Sequence, residues 1–187
     1  MNESIRVVGI CNGLVFLAVA DDTLTLANTF IIFNPSMRKS VTLPKPTIGR
    51  YRTCIGFGFD AVTNDYKVVR FVTDRPNTFH EDYSLAGGSW SNPRSLDHVC
   101  EVMDPLKSQA FVNGAIHWGA WRRLTNSYEY IILAFDVGSN SFHRIMVPMS
   151  FSNSWTAQLS VSGDGKSIAL FQPYFICIGE PRLIPGK

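Results

Sequence analysis

A glycine-containing stretch near the C-terminus is the first pattern in the sequence that could bind a phosphate group. GDGKS at 163–167 resembles the end of a phosphate-binding loop. The full pattern needs a glycine at 160, where the chain has Ser160, and a following helix whose N-terminus binds phosphate. The next run, SIALF, has the composition of a strand. The sequence therefore predicts a hairpin turn at Asp164-Gly165 and no nucleotide site there.

A second glycine pattern, GFGFDA at 56–61, matches part of a dinucleotide-binding fingerprint, and Glu81 follows twenty residues after Ala61. Such a site needs a strand, a glycine loop and then a helix. Here VTNDYKVV follows, which predicts a turn around Asn64-Asp65 and a second strand. Gly56 and Gly58 are therefore predicted to permit close packing within a strand.

The histidines and cysteines form no recognisable metal or catalytic motif. His80, His98, His117 and His143 are spaced 18, 19 and 26 residues apart, without the short spacings typical of zinc ligands. A metal site assembled only in three dimensions stays open. No G-x-S-x-G elbow or Ser-His-Asp arrangement is present, so we expect no enzyme active site and no cofactor. We expect free, mostly buried thiols in a reducing compartment at Cys11, Cys54, Cys100 and Cys177.

The composition favours one globular domain. The chain has 187 residues, of which 45% are hydrophobic and 17% charged, enough to build a core. A net charge of +2 is too small to indicate nucleic acid or an anionic membrane as a partner. No apolar run is long enough for a membrane-spanning helix. We expect a cytoplasmic or nuclear protein.

Short apolar runs dominate the chain, and one plan of them repeats. The copies are IIFNPSMRKSVTLP (31–44), EDYSLAGGSWSNP (81–93) and ILAFDVGSNSFHRIMVP (132–148). In each copy a strand ends in a small polar residue, here called the anchor, and a polar turn follows. A second equivalent position lies six residues after each anchor. The anchors, spaced 50 and 52 residues apart, are Asn34, Ser84 and Asp136, and the later positions are Ser40, Trp90 and Phe142.

This repeat predicts the fold class. A period near 50 residues with four short strands per unit is typical of kelch-like propellers. We therefore expect an all-β, kelch-like β-propeller-type array of antiparallel four-stranded blades, with Trp90 and Phe142 in the core. The chain holds a little under four periods, whereas closed propellers have about 4–8 blades, so an incomplete array in a single domain, 1–187, is predicted. An irregular β-sandwich is the alternative.

Six segments, in order, resemble the plant F-box-associated interaction domain, the kelch-like region of plant F-box proteins, including the S-locus F-box proteins. The resemblance covers roughly residues 8–148, and ordered multiple matches are more specific than any single motif. It implies a non-catalytic module that captures a target protein for ubiquitination, in a subunit whose F-box docks on the Skp-type adaptor of a cullin ubiquitin ligase. The segments are CNGLVFL, IIFNPSMRKSVTLPKP, IGFGFDAVTNDYKVVRFV, YSLAGGSWSNP, AFVNGAIHW and ILAFDVGSNSFHRI.

The chain departs from the family pattern in two respects. No F-box-like helical segment precedes Val7, so we expect it to bind a target protein, and to reach the Skp-type adaptor and cullin only if a longer form carries an F-box. Ser40 stands where the family usually has an aromatic or apolar residue. This departure is expected to weaken the core contact of the first blade.

The candidate partner-binding residues lie in four predicted connections, GRYRT (49–53), TDRPNTFH (73–80), WRRLTNSYEY (121–130) and FSNSW (151–155). Tyr, Trp and Arg are enriched at interface hot spots because they combine large area with directional hydrogen bonds. For each residue an ordinary solvated loop or a core position is the alternative. The candidates are Arg50, Tyr51, Arg52, Arg75, Phe79, Trp121, Arg122, Arg123, Tyr128 and Trp155.

Two other functions remain open at this point. The first is a carbohydrate-binding or hydrolytic propeller protein, including a secreted form cleaved after Ala20, because Arg6 and the apolar stretch that follows resemble a signal peptide. Against cleavage, Asn12-Gly13 interrupts that stretch with a strong turn signal. The second is a truncated paralogue with little independent function, which the missing blades suggest.

Overall fold

The fold is nearly all β. The computed structural model describes residues 4–20, 29–48, 52–74, 77–96, 100–102, 109–151 and 157–171. Sheet A is an antiparallel meander of β1 (Ser4–Cys11), β2 (Leu14–Ala20), β3 (Thr29–Asn34) and β4 (Lys39–Thr42). Sheet B has the order β5 (Arg52–Asp60), β6 (Asp65–Asp74), β7 (Asn77–Ser84) and β8 (Ser89–Trp90), and β9 (Arg94–Ser95) also pairs with β7.

The second half of the chain continues the same plan. In sheet C, both β10 (Cys100–Val102) and β11 (Ala110–Val112) pair with β12 (Ala115–Arg123), which is followed by β13 (Tyr128–Asp136) and β14 (Ser141–Met146). A 3-10 turn (Met149–Phe151) comes next, and sheet D is the hairpin of β15 (Gln158–Val161) and β16 (Ile168–Phe171). Strand β1 contacts β5 and β11, and β11 contacts β15.

This architecture confirms the predicted propeller-type array. Sheets A, B and C are each four strands wide and antiparallel, and the described residues do not close into a barrel. The predicted repeat copies coincide with the β3–β4, β7–β8 and β13–β14 hairpins. In their registers Ser40 pairs with Phe33, Trp90 with Tyr83 and Phe142 with Phe135.

The small polar anchors recur because they build the turn. Each ends its strand and is followed by a four-residue turn, and its side-chain oxygen accepts a backbone N–H two or three residues later. Asn34 accepts from Met37, Ser84 from Gly87 and Asp136 from Ser139. This is the Asx or Ser/Thr turn chemistry that favours these residue types. The fourth residue of each turn has a positive φ, at Arg38, Gly88 and Asn140, and the β5–β6 turn repeats this at Asn64.

Three apolar clusters join neighbouring sheets. The first, between sheets A and B, contains the stacked rings of Phe16 and Phe57, whose centroids are 5.5 Å apart. The second, between sheets B and C, contains Phe71 and Trp118, 4.9 Å apart. The third, between sheets C and D, includes Trp121. Sheet-on-sheet packing of apolar faces is therefore what holds successive blades together.

The aromatic contact that sheets B and C share is missing from sheet A, as the departure at Ser40 predicts. Trp90 lies 5.3 Å from Tyr83, and Phe142 lies 4.7 Å from Phe135, measured between ring centroids. Both pairs belong to or pack against a core cluster. Ser40, at the equivalent position opposite Phe33, is exposed.

Several local predictions are also confirmed. Asn12-Gly13 and Asn113-Gly114 are two-residue hairpin turns in which both residues have positive φ. The GDGKS stretch lies in the β15–β16 hairpin and leads into a strand. Cys11 is a free, buried thiol and Cys54 is also buried, and burial raises the pKa of the Cys11 thiol to about 11. Cys177 lies outside the described residues.

Two buried histidines, His80 and His117, predict a loss of stability in acid. Burial lowers the pKa of His80, with a further lowering by Arg94 that Asp82 opposes, and burial also lowers the pKa of His117. The unfolded chain therefore binds protons first, from about pH 6.5 downward, and the free energy of unfolding should fall as the pH drops below that value. Urea unfolding at about pH 7.5 and about pH 5.5 measures the change.

His80→Phe is the control for this prediction. Neither ring nitrogen of His80 has a hydrogen-bond partner in the part of the chain that the structure describes, and the ring packs edge-on against Phe142 at 4.9 Å. Phenylalanine therefore keeps the contact and removes the titration, so the variant should be less sensitive to acid than the wild type. An unfolding midpoint equal at both pH values in the wild type would contradict the prediction.

Candidate partner-binding surface

The strands have two kinds of ends, and each kind lies on one side of the array. The tight-turn face carries the turns 12–13, 35–38, 61–64, 85–88, 113–114, 137–140 and 162–167. The long-connection face carries the other connections, which follow Ala20, Thr42, Arg123 and Met146, together with the two-residue connection after Asp74. Candidate residues for partner binding were predicted in connections of the second kind.

Contacts between sheets fix this common orientation. Gly9 of β1 lies against Phe57 of β5. The Gln109 side chain accepts a hydrogen bond from the Phe57 backbone N–H at 2.8 Å and donates one to the Phe57 carbonyl at 2.9 Å. Gly56 of β5 reaches Trp118 and Ile116 of β12, whereas Gly58, two residues later, reaches Ile116. Moving forward along β5 therefore means moving backward along β12, so the two strands run in opposite directions. The start of β5 and the end of β12 therefore lie on the same side of the molecule.

The tight-turn face is held together by its own polar contacts. The Lys67 ammonium lies 2.8 Å from the Asp60 carboxylate and donates to the Val137 carbonyl, also at 2.8 Å, and to Asn140 Oδ1 at 3.3 Å. These bonds join the 61–64 turn of sheet B to the 137–140 turn of sheet C. Burial alone would raise the pKa of the Asp60 carboxyl. The hydrogen bonds that this carboxylate accepts from Lys67, from Thr63 and from backbone N–H groups of the turn outweigh that effect and lower its pKa to about 2.

A Ser-His contact also lies on the tight-turn face. Ser141 Oγ is 3.0 Å from His143 Nε2, and Ser139 Oγ is 2.7 Å from Ser141 Oγ. The Asp136 carboxylate accepts from Ser139 and does not reach the imidazole. The hydrogen bonds from Ser139 are the main cause of the lowered pKa of Asp136. This exposed chain of hydroxyls stabilises a turn and does not orient a general base as a catalytic triad does.

The long-connection face contains three predicted residues at the ends of β12 and β13. Arg122 and Arg123 end β12, and Tyr128 begins β13 with 40% of its surface exposed. Arg122 donates from Nε and Nη2 to Glu129 Oε2, at 3.1 and 2.5 Å. This partly exposed ion pair orients one cation at the end of the β12–β13 hairpin.

Other predicted residues do not lie in connections. WRRLTNSYEY was predicted to be one, but β12 and β13 extend into it and leave only 124–127 as a turn. Trp121 is therefore a core residue, 3% exposed, packed edge-on against Tyr130 at 5.4 Å. Phe79 lies within β7, opposite Val72, and is half-buried. The connection is shorter than predicted because both strands of the hairpin continue into it, and their additional cross-strand pairs stabilise the sheet.

The remaining candidates are only partly placed. Arg52 is the first residue of β5, at the long-connection face. The others, which lie outside the described residues, are Arg50, Tyr51, Arg75 and Trp155. Their role in partner binding stays a prediction.

The structure adds residues to this face that the sequence prediction missed. Leu124, 40% exposed, lies in the 124–127 turn, where its N–H donates to the Ser127 carbonyl at 2.8 Å. Lys45 and Thr47 are exposed on the segment between sheets A and B. An apolar residue in an otherwise polar turn was the available signal for Leu124.

The segment 43–48 is fixed to the face by a buried ion pair. The Arg70 guanidinium contacts the Glu81 carboxylate, and both side chains are almost fully buried. Glu81 Oε2 accepts from the Thr47 N–H at 3.0 Å, and Arg70 Nη1 donates to the Ile48 carbonyl at 3.1 Å. Burial lowers the pKa of Arg70, and the charge and hydrogen bond of Glu81 oppose that shift. This connection therefore has a defined backbone.

The structure bears on two possibilities that the sequence left open, signal cleavage after Ala20 and a metal site assembled in three dimensions. Cleavage after Ala20 would remove β1 and β2 and with them Phe16, a fully buried ring of the first cluster. Within the described ranges, no three His, Cys, Asp or Glu side chains are grouped as metal ligands would be. In the same ranges, no helix has the length and apolar character needed to cross a membrane.

The stacked sheets and the shared orientation of their connections define a β-propeller-type scaffold with one loop-bearing face. The family model for the F-box associated beta propeller domain matches residues 2–174. The chain therefore belongs to the F-box associated β-propeller domain family.

Relatives from Arabidopsis thaliana agree with this assignment. An F-box protein is 33% identical over 144 residues, which cover 72% of this chain and 31% of the relative. An F-box/kelch-repeat protein is 27% identical over 150 residues, with 77% and 39% covered. Another F-box/kelch-repeat protein is 34% identical over 109 residues, with 55% and 24% covered. The chain thus spans between 24% and 39% of the lengths of these relatives.

Proposed function

We propose that this domain is a non-catalytic protein-recognition module that binds a target protein for ubiquitination, as the substrate-recognition part of an SCF-type ubiquitin ligase subunit. The Skp-type adaptor and cullin would join through an F-box in a longer form of the polypeptide. Such a module would act in the cytoplasm or the nucleus. Family membership over residues 2–174 supports the proposal, as do relatives that are themselves F-box proteins.

One observation indicates where the target would bind. The sheets bring the long connections to one face, whereas the polar groups of the opposite turns bond to one another, as Lys67 does with Asp60 and Asn140. Loops on a rigid scaffold are the usual carriers of recognition. Tyr128, Leu124 and the Arg122–Glu129 pair offer an aromatic, an aliphatic and a charged group at the end of one hairpin.

Affinity capture followed by mass spectrometry tests the proposal. The chain is compared with a version that carries the F-box of one of its relatives. Both should recover the same target, and only the longer version should also recover the Skp-type adaptor and cullin. Recovery of chaperones alone by both versions would contradict the proposal.

A pair of variants then tests the face. Tyr128→Ala should weaken target binding, because truncating a hot-spot aromatic costs about 2 kcal/mol, roughly thirtyfold in Kd. Met37→Ala is the matched control, since Met37 is exposed in a turn of the tight-turn face and should leave the Kd unchanged. Equal Kd values for Tyr128→Ala and wild type, together with loss of binding in Met37→Ala, would move the site to the tight-turn face.

A further inference from the structure

Two turns of the tight-turn face consist of the same dipeptide. Asn-Gly occurs twice in the chain, at 12–13 between β1 and β2 and at 113–114 between β11 and β12. Both asparagines are exposed, and a Cβ added to either glycine would meet no atom within 4 Å. Both turns lie at the ends of strands, where the packing of one sheet on the next does not cover them. Water therefore reaches the two turns alike.

An exposed Asn-Gly pair carries chemistry of its own. The glycine nitrogen can attack the side-chain carbonyl carbon of the asparagine, because glycine has no Cβ to hinder the approach. A bond forms between the glycine N and the asparagine Cγ, the Cγ–Nδ2 bond breaks, and the glycine N–H proton leaves with Nδ2 as ammonia. Water then opens the cyclic imide. Opening at Cγ gives aspartate, opening at the backbone carbonyl gives isoaspartate, and nothing is oxidised or reduced.

Hydrogen bonds distinguish the two turns. Asn113 Nδ2 donates to the Lys166 carbonyl at 3.0 Å, which ties its side-chain amide to sheet D. The Gly114 carbonyl accepts from the Val137 N–H, also at 3.0 Å, which ties the same turn to sheet C. Among the described residues, no such bond holds the side chain of Asn12 or the carbonyl of the glycine that follows it. The 12–13 turn is therefore the freer of the two to reach the geometry of attack.

We propose that Asn12 is a site of spontaneous covalent modification, at which deamidation by water converts the β1–β2 turn to an aspartyl or isoaspartyl form. Asn113 reacts more slowly, because attack there requires two hydrogen bonds to break. Two bonds of ordinary net strength correspond to roughly a thirtyfold difference in rate.

Isoaspartate at position 12 would alter sheet A. It adds one backbone carbon to a turn of two residues, and the length and type of a hairpin turn fix the register of its strands. The turn is flanked directly by the pair of Cys11 and Leu14. Because Cys11 is buried in the cluster between sheets A and B and Leu14 packs against it, the modified protein should unfold at a lower urea concentration.

Ageing of the purified chain in mildly alkaline buffer tests the proposal, because base removes the glycine N–H proton and speeds the attack. Samples are digested at intervals, and tandem mass spectrometry measures the conversion at both asparagines. In the folded chain Asn12 should become a mixture of aspartate and isoaspartate roughly thirtyfold faster than Asn113. The same series in concentrated urea is the control, since the two hydrogen bonds are absent there and the two sites should convert at similar rates.

Asn12→Gly is the matched variant. Glycine tolerates the positive φ of this position and has no amide to lose, so its urea midpoint should not change on ageing, whereas that of the wild type should fall.

Three outcomes would overturn the proposal. The first is an Asn12 that stays intact in the folded chain over the time in which it converts in urea. The second is equal conversion of Asn12 and Asn113 in the folded chain. The third is a urea midpoint that falls equally on ageing in the wild type and in Asn12→Gly.

Discussion

Replacing Glu81 with alanine is expected to lower the free energy of unfolding by about 3–5 kcal/mol, the usual cost of breaking a buried ion pair from one side. Arg70 would keep its charge in a site where its side chain is 1% exposed. The Thr47 N–H would also lose its acceptor, so segment 43–48 would lose one of its hydrogen bonds to sheet B. Urea unfolding of the variant and the wild type at neutral pH measures the difference.

Two further variants test the cause of that loss. Glu129→Ala breaks the Arg122–Glu129 pair, whose side chains are 34% and 22% exposed, and should cost about 0–1 kcal/mol because water replaces the lost partner. The double variant Arg70→Met with Glu81→Leu removes both buried charges and should recover most of the stability. Equal losses of unfolding free energy in Glu81→Ala and Glu129→Ala would show that burial does not determine how much an ion pair contributes to stability.

Replacing Gly56 with valine is expected to separate sheets B and C. A Cβ at Gly56 would overlap the Trp118 ring and would lie 2.6 Å from Gln109 Oε1 and 2.7 Å from Ile116 Cγ2. Trp118 has little freedom to move, because its Nε1 donates to the Ile55 carbonyl at 3.1 Å and Phe71 packs on its ring. Overpacking of this kind costs about 1–3 kcal/mol or more.

Gly163→Val provides the comparison, since an added Cβ there meets no atom within 4 Å. The free energy of unfolding of this variant should stay within about 0.5 kcal/mol of the wild type, as for most surface substitutions. Near-ultraviolet circular dichroism of Gly56→Val should also change, because the environment of Trp118 is disturbed. A Gly56→Val variant as stable as Gly163→Val would contradict the packing role of Gly56.

The GFGFDA stretch illustrates how sequence reasoning reached a correct result. The helix that a dinucleotide site requires is absent from the pattern that follows, so Gly56 and Gly58 were predicted to be packing residues. The structure confirms this, with Trp118 against Gly56 and Phe111 against Gly58. The identity of those neighbours could not be predicted, since residues more than fifty positions away supply them.

The candidate surface was predicted less well than the fold. Trp121 was placed in a connection because Arg122, Arg123 and a polar turn follow it, but β12 continues to Arg123 and buries the indole against Tyr130. Local composition marks where a chain turns polar. It does not show how far a hairpin extends across a neighbouring sheet, which depends on the packing of that sheet.

The repeat, the strands and the turns all follow from local sequence. Asn34, Ser84 and Asp136 bond to backbone within their own turns, so a few consecutive residues contain the whole cause. Long-range packing, in contrast, determines that Arg70 and Glu81 are buried together and that the long connections share one face. Those features arise from contacts between distant sheets, and burial depends on which sheet packs on which.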